Sequence, residues 1–176
     1  MDNYSILSQS EQELITMSLI KLLNSFPELP NNIRKLGVQF YDMFPNCECL
    51  GIATLGAPKI LKKYIGGSYI GAYNFRLDYR YSTKNPSERI KKQSLISTIA
   101  DWLSRKPIVK AEGNPDKLSI AYRLEEYPYI SNEISIFSIE TLDFTVLADK
   151  NKSGYEDSIN DFTLKYHYRK ECEPWL

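Results

Sequence analysis

The sequence reads as an α+β domain: an antiparallel-rich mixed β-sheet with two helices packed on one face and a long protruding β-hairpin. Three patterns carry that reading. Two segments repeat apolar residues at helical spacing, a Gly-Gly pair joins two strand-like arms, and three later segments alternate in polarity. The order is helix, strands, helix, strands, which segregates the helices from an antiparallel sheet. With 176 residues, no internal repeat and no long linker, one domain is expected over 1–176, loose only at about 1–8 and 170–176.

The first helix is expected over about Ser10–Phe26. Leu14, Ile15, Leu19, Ile20, Leu22, Leu23 and Phe26 recur at helical spacing, and Pro27 and Pro30 stop the run. Ser8 or Ser10, each three residues before a Glu, can open it with a capping box. Val38–Tyr41 and Leu50–Thr54 follow as short strands, with Pro45, Asn46, Cys47 and Cys49 in a turn between them.

The hairpin comes next. Ile60–Ile65 and Ser68–Tyr81 flank Gly66 and Gly67, read as a two-residue turn. That turn would pair Tyr64 with Tyr69, Lys63 with Ile70 and Ile60 with Tyr73. In the second arm Tyr69, Tyr73, Phe75, Leu77, Tyr79 and Tyr81 share one face, and Asn74, Arg76, Asp78 and Arg80 share the other. Common strands run to about 5–6 residues, so so long an arm is expected either to project or to be broken by a bulge near Gly71.

Asn85-Pro86-Ser87-Glu88 opens the second helix: Asn85 caps, Pro86 takes the first helical position, and Glu88 reaches back. Leu95, Ile96, Ile99, Ala100 and Leu103 form its buried stripe, with Trp102 at the margin and Pro107 beyond its end. Three strands complete the chain. Leu118, Ile120, Tyr122 and Leu124 alternate. Residues 134–147 slip period between Ile136 and Phe137, which signals a bulge. Phe162, Leu164, Tyr166 and Tyr168 alternate near the end, and Asp149–Asp157 before them reads as a polar loop.

The chemistry is sparse. Lys and Arg number 22 and Asp and Glu 22, so no net cationic field draws the chain to nucleic acid. The N-terminus carries an acid and its first cation is Lys21, unlike a signal peptide. No run of about 18 apolar residues offers a membrane span. An odd set of cysteines (Cys47, Cys49, Cys172) fits a reducing compartment. Cys47 and Cys49 could be half of a zinc site, but only Cys172 and the lone His167 remain as further ligands, so no metal or cofactor is expected. His167 has no nucleophile beside it in any recognised motif, and reads as a surface strand position. Gly66, Gly67 and Gly71 precede a strand instead of a helix, unlike a phosphate cradle. Glu125-Glu126 and Glu156-Asp157 are adjacent acids with nothing to set them apart from solvated charge. The Tyr-rich arm could stack bases, but Arg76 and Arg80 lie on its opposite face, so core packing is the stronger reading. Arg89, Lys91 and Lys92 sit in the first turns of the second helix, where cations oppose the helix dipole; such a departure can mark a surface for an acidic partner.

The segments Lys63-Tyr64-Ile65-Gly66-Gly67-Ser68-Tyr69, Ala72-Tyr73-x-Phe75-x-Leu77-x-Tyr79-Arg80 and Ala100-Asp101-Trp102-Leu103 together resemble the bacteriophage tail-terminator family, often labelled minor capsid protein. Glu156-Asp157 through Asp161-Phe162-Thr163-Leu164-x-Tyr166-x-Tyr168 resembles its closing loop and strand. The likeness covers most of residues 10–169; residues 126–148 and 171–176 match no pattern of the family. It implies a non-enzymatic virion protein of the tail and neck, assembled in the cytoplasm of a bacterial host. Such proteins form a ring, usually a hexamer, on the last ring of the tail tube. They stop tube growth and join the tail to the head–tail connector, with DNA free to pass through the ring. Partners implied are further copies of itself, the tail tube protein and the connector or neck protein, with no membrane and no specific nucleic acid. Contacts are expected at the hairpin (Tyr64, Gly66, Gly67, Tyr69), at the loop (Lys150, Asn151, Lys152, Tyr155, Glu156, Asp157) and at Arg89, Lys91 and Lys92. Deletion of residues 150–157 is expected to spare the fold and impair joining. Two other readings stand beside this one: another head–tail completion protein, and a small sheet-based module binding nucleic acid or peptide.

Overall fold

Alternation in the Tyr-rich segment decides the centre of the molecule. The computed structural model describes residues 4–113, 115–147 and 154–170. In chain order these form α1 (Tyr4–Asn24), α2 (Asn31–Leu36), β1 (Gln39–Phe40), β2 (Cys49–Thr54), β3 (Lys59–Lys63), β4 (Tyr69–Tyr81), α3 (Pro86–Leu103), β5 (Ile108–Ala111), β6 (Leu118–Tyr122), β7 (Ile134–Leu147) and β8 (Glu156–Tyr168). The main sheet runs β1-β2-β4-β8-β7, with β3 also on β4, and β5 and β6 form a separate ribbon. Only β1–β2 is parallel; the other pairings are antiparallel. The class is α+β, with a mixed, antiparallel-rich sheet.

In β4, Tyr73, Phe75, Leu77, Tyr79 and Tyr81 are fully buried, and the residues between them are half-buried. This is the period-two pattern of a strand with one face in a core. β8 pairs with β4 along its whole length, from Tyr69 opposite Tyr168 to Tyr81 opposite Glu156. Phe75 stacks on Phe162 with ring centroids 5.0 Å apart. The long arm is therefore the middle of the sheet and does not project from it. Its length is matched by β8 beside it and by β7 on the far side of β8.

The hairpin forms, but its register differs from the expected one. Lys63 lies opposite Tyr69 and Lys62 opposite Ile70. The Tyr64 N–H donates to the Ser68 carbonyl at 2.8 Å, and the Gly67 N–H to the Tyr64 carbonyl at 3.0 Å. The loop is thus Ile65-Gly66-Gly67, a turn closed by Gly67 at φ 85°. Three-residue loops of this kind end on a left-handed residue, which glycine adopts without strain. One added residue moves Tyr64 off the face of Tyr69. The bulge sits in β3, between Ile60 and Lys62, and β4 is unbroken at Gly71. Gly71 has another role: a Cβ there would overlap the Tyr166 ring.

α1 starts at Tyr4 instead of Ser10, so Ser8 and Ser10 lie inside it. Ile15, Leu19, Leu22, Leu23 and Phe26 are buried as expected, but Leu14 faces outward. α2 was not anticipated; it buries Ile33 and ends at Gly37, whose N–H donates to the Ile33 carbonyl. In α3 the Asn85 Oδ1 accepts from the Glu88 N–H at 2.9 Å, and Glu88 accepts from the Lys84 N–H at 2.8 Å, one residue before the cap. Trp102 is buried instead of marginal, because it meets the Phe26 ring edge-on at 5.2 Å. α1 and α3 cover the same sheet face: Thr16 bonds Tyr73, and Arg89 bonds Glu156.

β7 carries the expected bulge at Phe137 and a second at Leu142. β8 begins at Glu156, so Glu156 and Asp157 belong to a strand and not to the polar loop. β5 was not anticipated. A register shift between Ile108 and Val109 turns Tyr122 of β6 toward Phe26, at 6.1 Å, while Leu118 and Ile120 stay exposed.

Candidate assembly surfaces

Three sets of residues were expected to make contacts, and the sheet places their described members at two ends. The hairpin set stands at the Tyr69 end of β4, and Arg89, Lys92, Glu156 and Asp157 stand at the Tyr81 end. Twelve strand steps of about 3.3 Å put roughly 40 Å between the two ends.

At the hairpin end, every residue of β3 is exposed. Tyr64 is 43% exposed and Ile65, at the turn, wholly so. Lys62 Nζ lies 5.1 Å from the centroid of the Tyr64 ring, a cation–π distance. β3 pairs with β4 on one side only, and its three lysines are the usual protection of an open strand edge. Gly66 is exposed, and Gly67 lies against the Lys170 side chain. Tyr69 differs from its neighbours. Its ring stacks on Tyr168 at 4.7 Å and its hydroxyl donates to Glu11, so it ties α1 to the sheet. Glu11 also accepts from Tyr166 at 2.9 Å and is itself buried. Burial first, then the Glu11 carboxylate, pushes both tyrosines well above the ordinary phenol range.

At the other end two cations of the basic patch are paired within the chain. Arg89 holds Glu156 with bonds of 2.6 and 3.0 Å, and Glu156 is 2% exposed. Lys92 bonds Glu48 at 2.6 Å, and Glu48 also accepts from Tyr79 and from Asn32. Burial raises the Glu48 carboxyl, but its hydrogen bonds from Lys92, Tyr79 and Asn32 outweigh that and leave it below the ordinary range. Lys91 is exposed. Asp157 is held by Arg80 with two bonds of 2.7 Å. Tyr155 is half-buried, and Lys150, Asn151 and Lys152 lie outside the described residues. Deleting 150–157 would therefore remove the start of β8 and the buried Glu156, contrary to the expectation that the fold would survive it.

The sheet face away from the helices is a polar ladder. Asn74 bonds Thr163 at 2.8 Å, Arg76 grips Asp161 at 2.7 and 2.9 Å, and Arg80 grips Asp157. Both arginines are engaged bidentately by carboxylates, and the aromatic side chains Tyr73, Phe75, Tyr79 and Tyr81 are in the core. The base-stacking reading of this strand is thereby overturned. His167 is half-buried beside the Phe137 ring, 4.5 Å between centroids. Cys49 is buried and its thiol is pushed up to about 11, chiefly by burial. Among the described residues no three His, Cys, Asp or Glu side chains gather as a metal site, and no helix is long and apolar enough to cross a membrane.

The chain matches no protein-family model and no curated protein.

Two apolar surfaces were missed by the sequence reading. One is a groove of about 620 Å³ between α1 and the β1 edge, lined by Gln12, Glu13, Thr16, Met17, Ile20, Phe40, Tyr41 and Thr54. Tyr41 is held at φ 63°, a strained value for an aromatic residue, and its hydroxyl meets Thr54. The other is the outer face of the β5–β6 ribbon, where Val109, Leu118 and Ile120 are exposed while Lys110 pairs with Glu28. Signals existed for the groove: Met17 is an apolar residue outside the buried stripe, and Phe40-Tyr41-Asp42-Met43-Phe44 is an aromatic-rich run that begins at the end of an expected strand.

Proposed function

We propose that this chain is an assembly protein of a phage tail or phage-tail-like particle, acting as a ring that caps the tail tube. The observation that carries the reading is the distribution of exposed apolar groups. Ile60, Leu61, Tyr64 and Ile65 crowd the β3 hairpin, Met17, Phe40 and Tyr41 line the groove, and Val109, Leu118 and Ile120 cover the small ribbon. Scattered exposed apolar residues are ordinary, but clusters on strand edges and outer faces suit contact with other proteins. The wide spacing of these surfaces suits a subunit with several neighbours.

A ring needs two unlike patches per subunit, so that each copy contacts the next by rotation until the circle closes. It also needs unlike faces above and below. One face matches the tube end, and the other does not repeat it, so growth halts. The second face receives the connector. Stable junctions bury about 800 Å² per partner, more than one hairpin tip provides, so the neighbouring β3 side chains contribute as well.

Purified chain added to growing tube protein is expected to arrest elongation and to appear as a ring at one tube end by negative-stain electron microscopy. Tubes that lengthen as they do without it would overturn the reading.

A further inference from the structure

The groove beside α1 has the shape and the charge to receive the hairpin tip of a second copy of this chain. Its apolar lining is Ile20, Met17, and the Phe40 and Tyr41 rings, which meet edge-to-face at 4.5 Å, with Gln12, Thr16 and Thr54 beside them. The charged residue of the lining is the exposed Glu13, and the exposed Asp42 follows Tyr41 in the chain. The hairpin tip is the converse. Ile65 stands wholly exposed beside Tyr64, and Lys59, Lys62 and Lys63 flank them. An apolar knob bordered by cations is thus complementary to an apolar hole that carries the Glu13 carboxylate, and opposite charge across a contact aligns the partners.

The tip cannot reach its own groove. Thr54 in the groove pairs with Phe75, whereas the tip lies beyond the Tyr69 end, six residues along the same strand. That separation is roughly 20 Å, and a paired hairpin cannot fold back across it. We propose that the Tyr64-Ile65 tip of one copy inserts into the α1–β1 groove of the next, as the heterologous contact that links subunits. The inference rests on the ring reading and names its interface.

Sedimentation velocity tests it with two exposed substitutions, Ile65→Asp in the knob and Met17→Asp in the hole. Circular dichroism checks that each variant stays folded. The wild-type chain is expected to self-associate, and each variant to associate at least about tenfold more weakly. An equimolar mixture of the two variants is expected to recover a one-to-one complex, because one brings an intact groove and the other an intact tip. A wild-type chain that stays monomeric up to about 1 mM would overturn the inference. So would variants that associate like the wild type, or a Met17→Asp variant that self-associates normally but no longer binds tube protein, which would give the groove to the tube. Arrest of tube growth by the wild-type chain is read in its own assay, so the interface and the capping role fail separately.

Discussion

Asp78 is the residue whose charge the fold penalises most plainly. It lies between Arg76 and Arg80 on the polar ladder, and its Oδ1 has no hydrogen-bond partner among the described residues. Burial raises its carboxyl from 3.8 to about 6, against the pull of Arg76. Between those values the folded chain holds a proton that the unfolded chain has released, so stability falls as pH rises through about 4 to 6. Asp78→Asn is therefore expected to be more stable than wild type at pH 7 by on the order of 1 kcal/mol, with the gain gone at pH 4. Urea denaturation at the two pH values measures it. Arg89 and Lys91 make a second contrast. Arg89→Ala leaves the buried Glu156 carboxylate without its main partner, and about 1–3 kcal/mol of stability should be lost, a range lowered because Arg89 is 44% exposed. Lys91→Ala, on an exposed side chain, should change stability by less than about 0.5 kcal/mol. Neither the Arg89–Glu156 pair nor the Arg80–Asp157 pair was legible in the sequence. The partners are 67 and 77 residues apart, and nothing local announces them.

Elements were more legible than pairs, and where the reading failed the reason is local. The alternation of β4, the cap of α3 and the bulge at Phe137 follow from patterns within a few residues, and all three are present. The hairpin register turned on whether Gly66-Gly67 is the whole loop or its last two residues, and glycine permits either. α2 and β5 have six and four residues, too few for a period to show. β8 hid its beginning because Glu156 and Asp157 look like loop residues until Arg89 and Arg80 neutralise them. The join between α1 and the sheet was invisible too, since it depends on Glu11 meeting two tyrosines from β4 and β8. Glu11→Ala strands both hydroxyls and should cost about 2 kcal/mol. Gly71→Ala would force the Tyr166 ring aside and should cost about 1–3 kcal/mol, while a substitution at Gly66, where a Cβ meets nothing, should cost less. Thermal melts of the three variants rank them.

At the scale of the whole molecule, the α+β class and the two helices on one face were readable from the order of periodic segments, because layer architecture follows from which faces are apolar. The proposed contact surfaces were readable only in part. The hairpin announced itself by its Gly-Gly turn and its alternating second arm, whereas the groove is assembled from α1, β1 and β2 and exists only once they pack. A subunit with unlike surfaces on opposite ends of a strand roughly 40 Å long is suited to sit between a polymer and its next component. The central claim is that this protein ends tube growth. The most direct measurement is the tail-length distribution, by electron microscopy, of particles assembled with and without it. Without it, tubes should run on to irregular lengths and fail to join filled heads. Tubes of uniform length that still join heads would contradict the account.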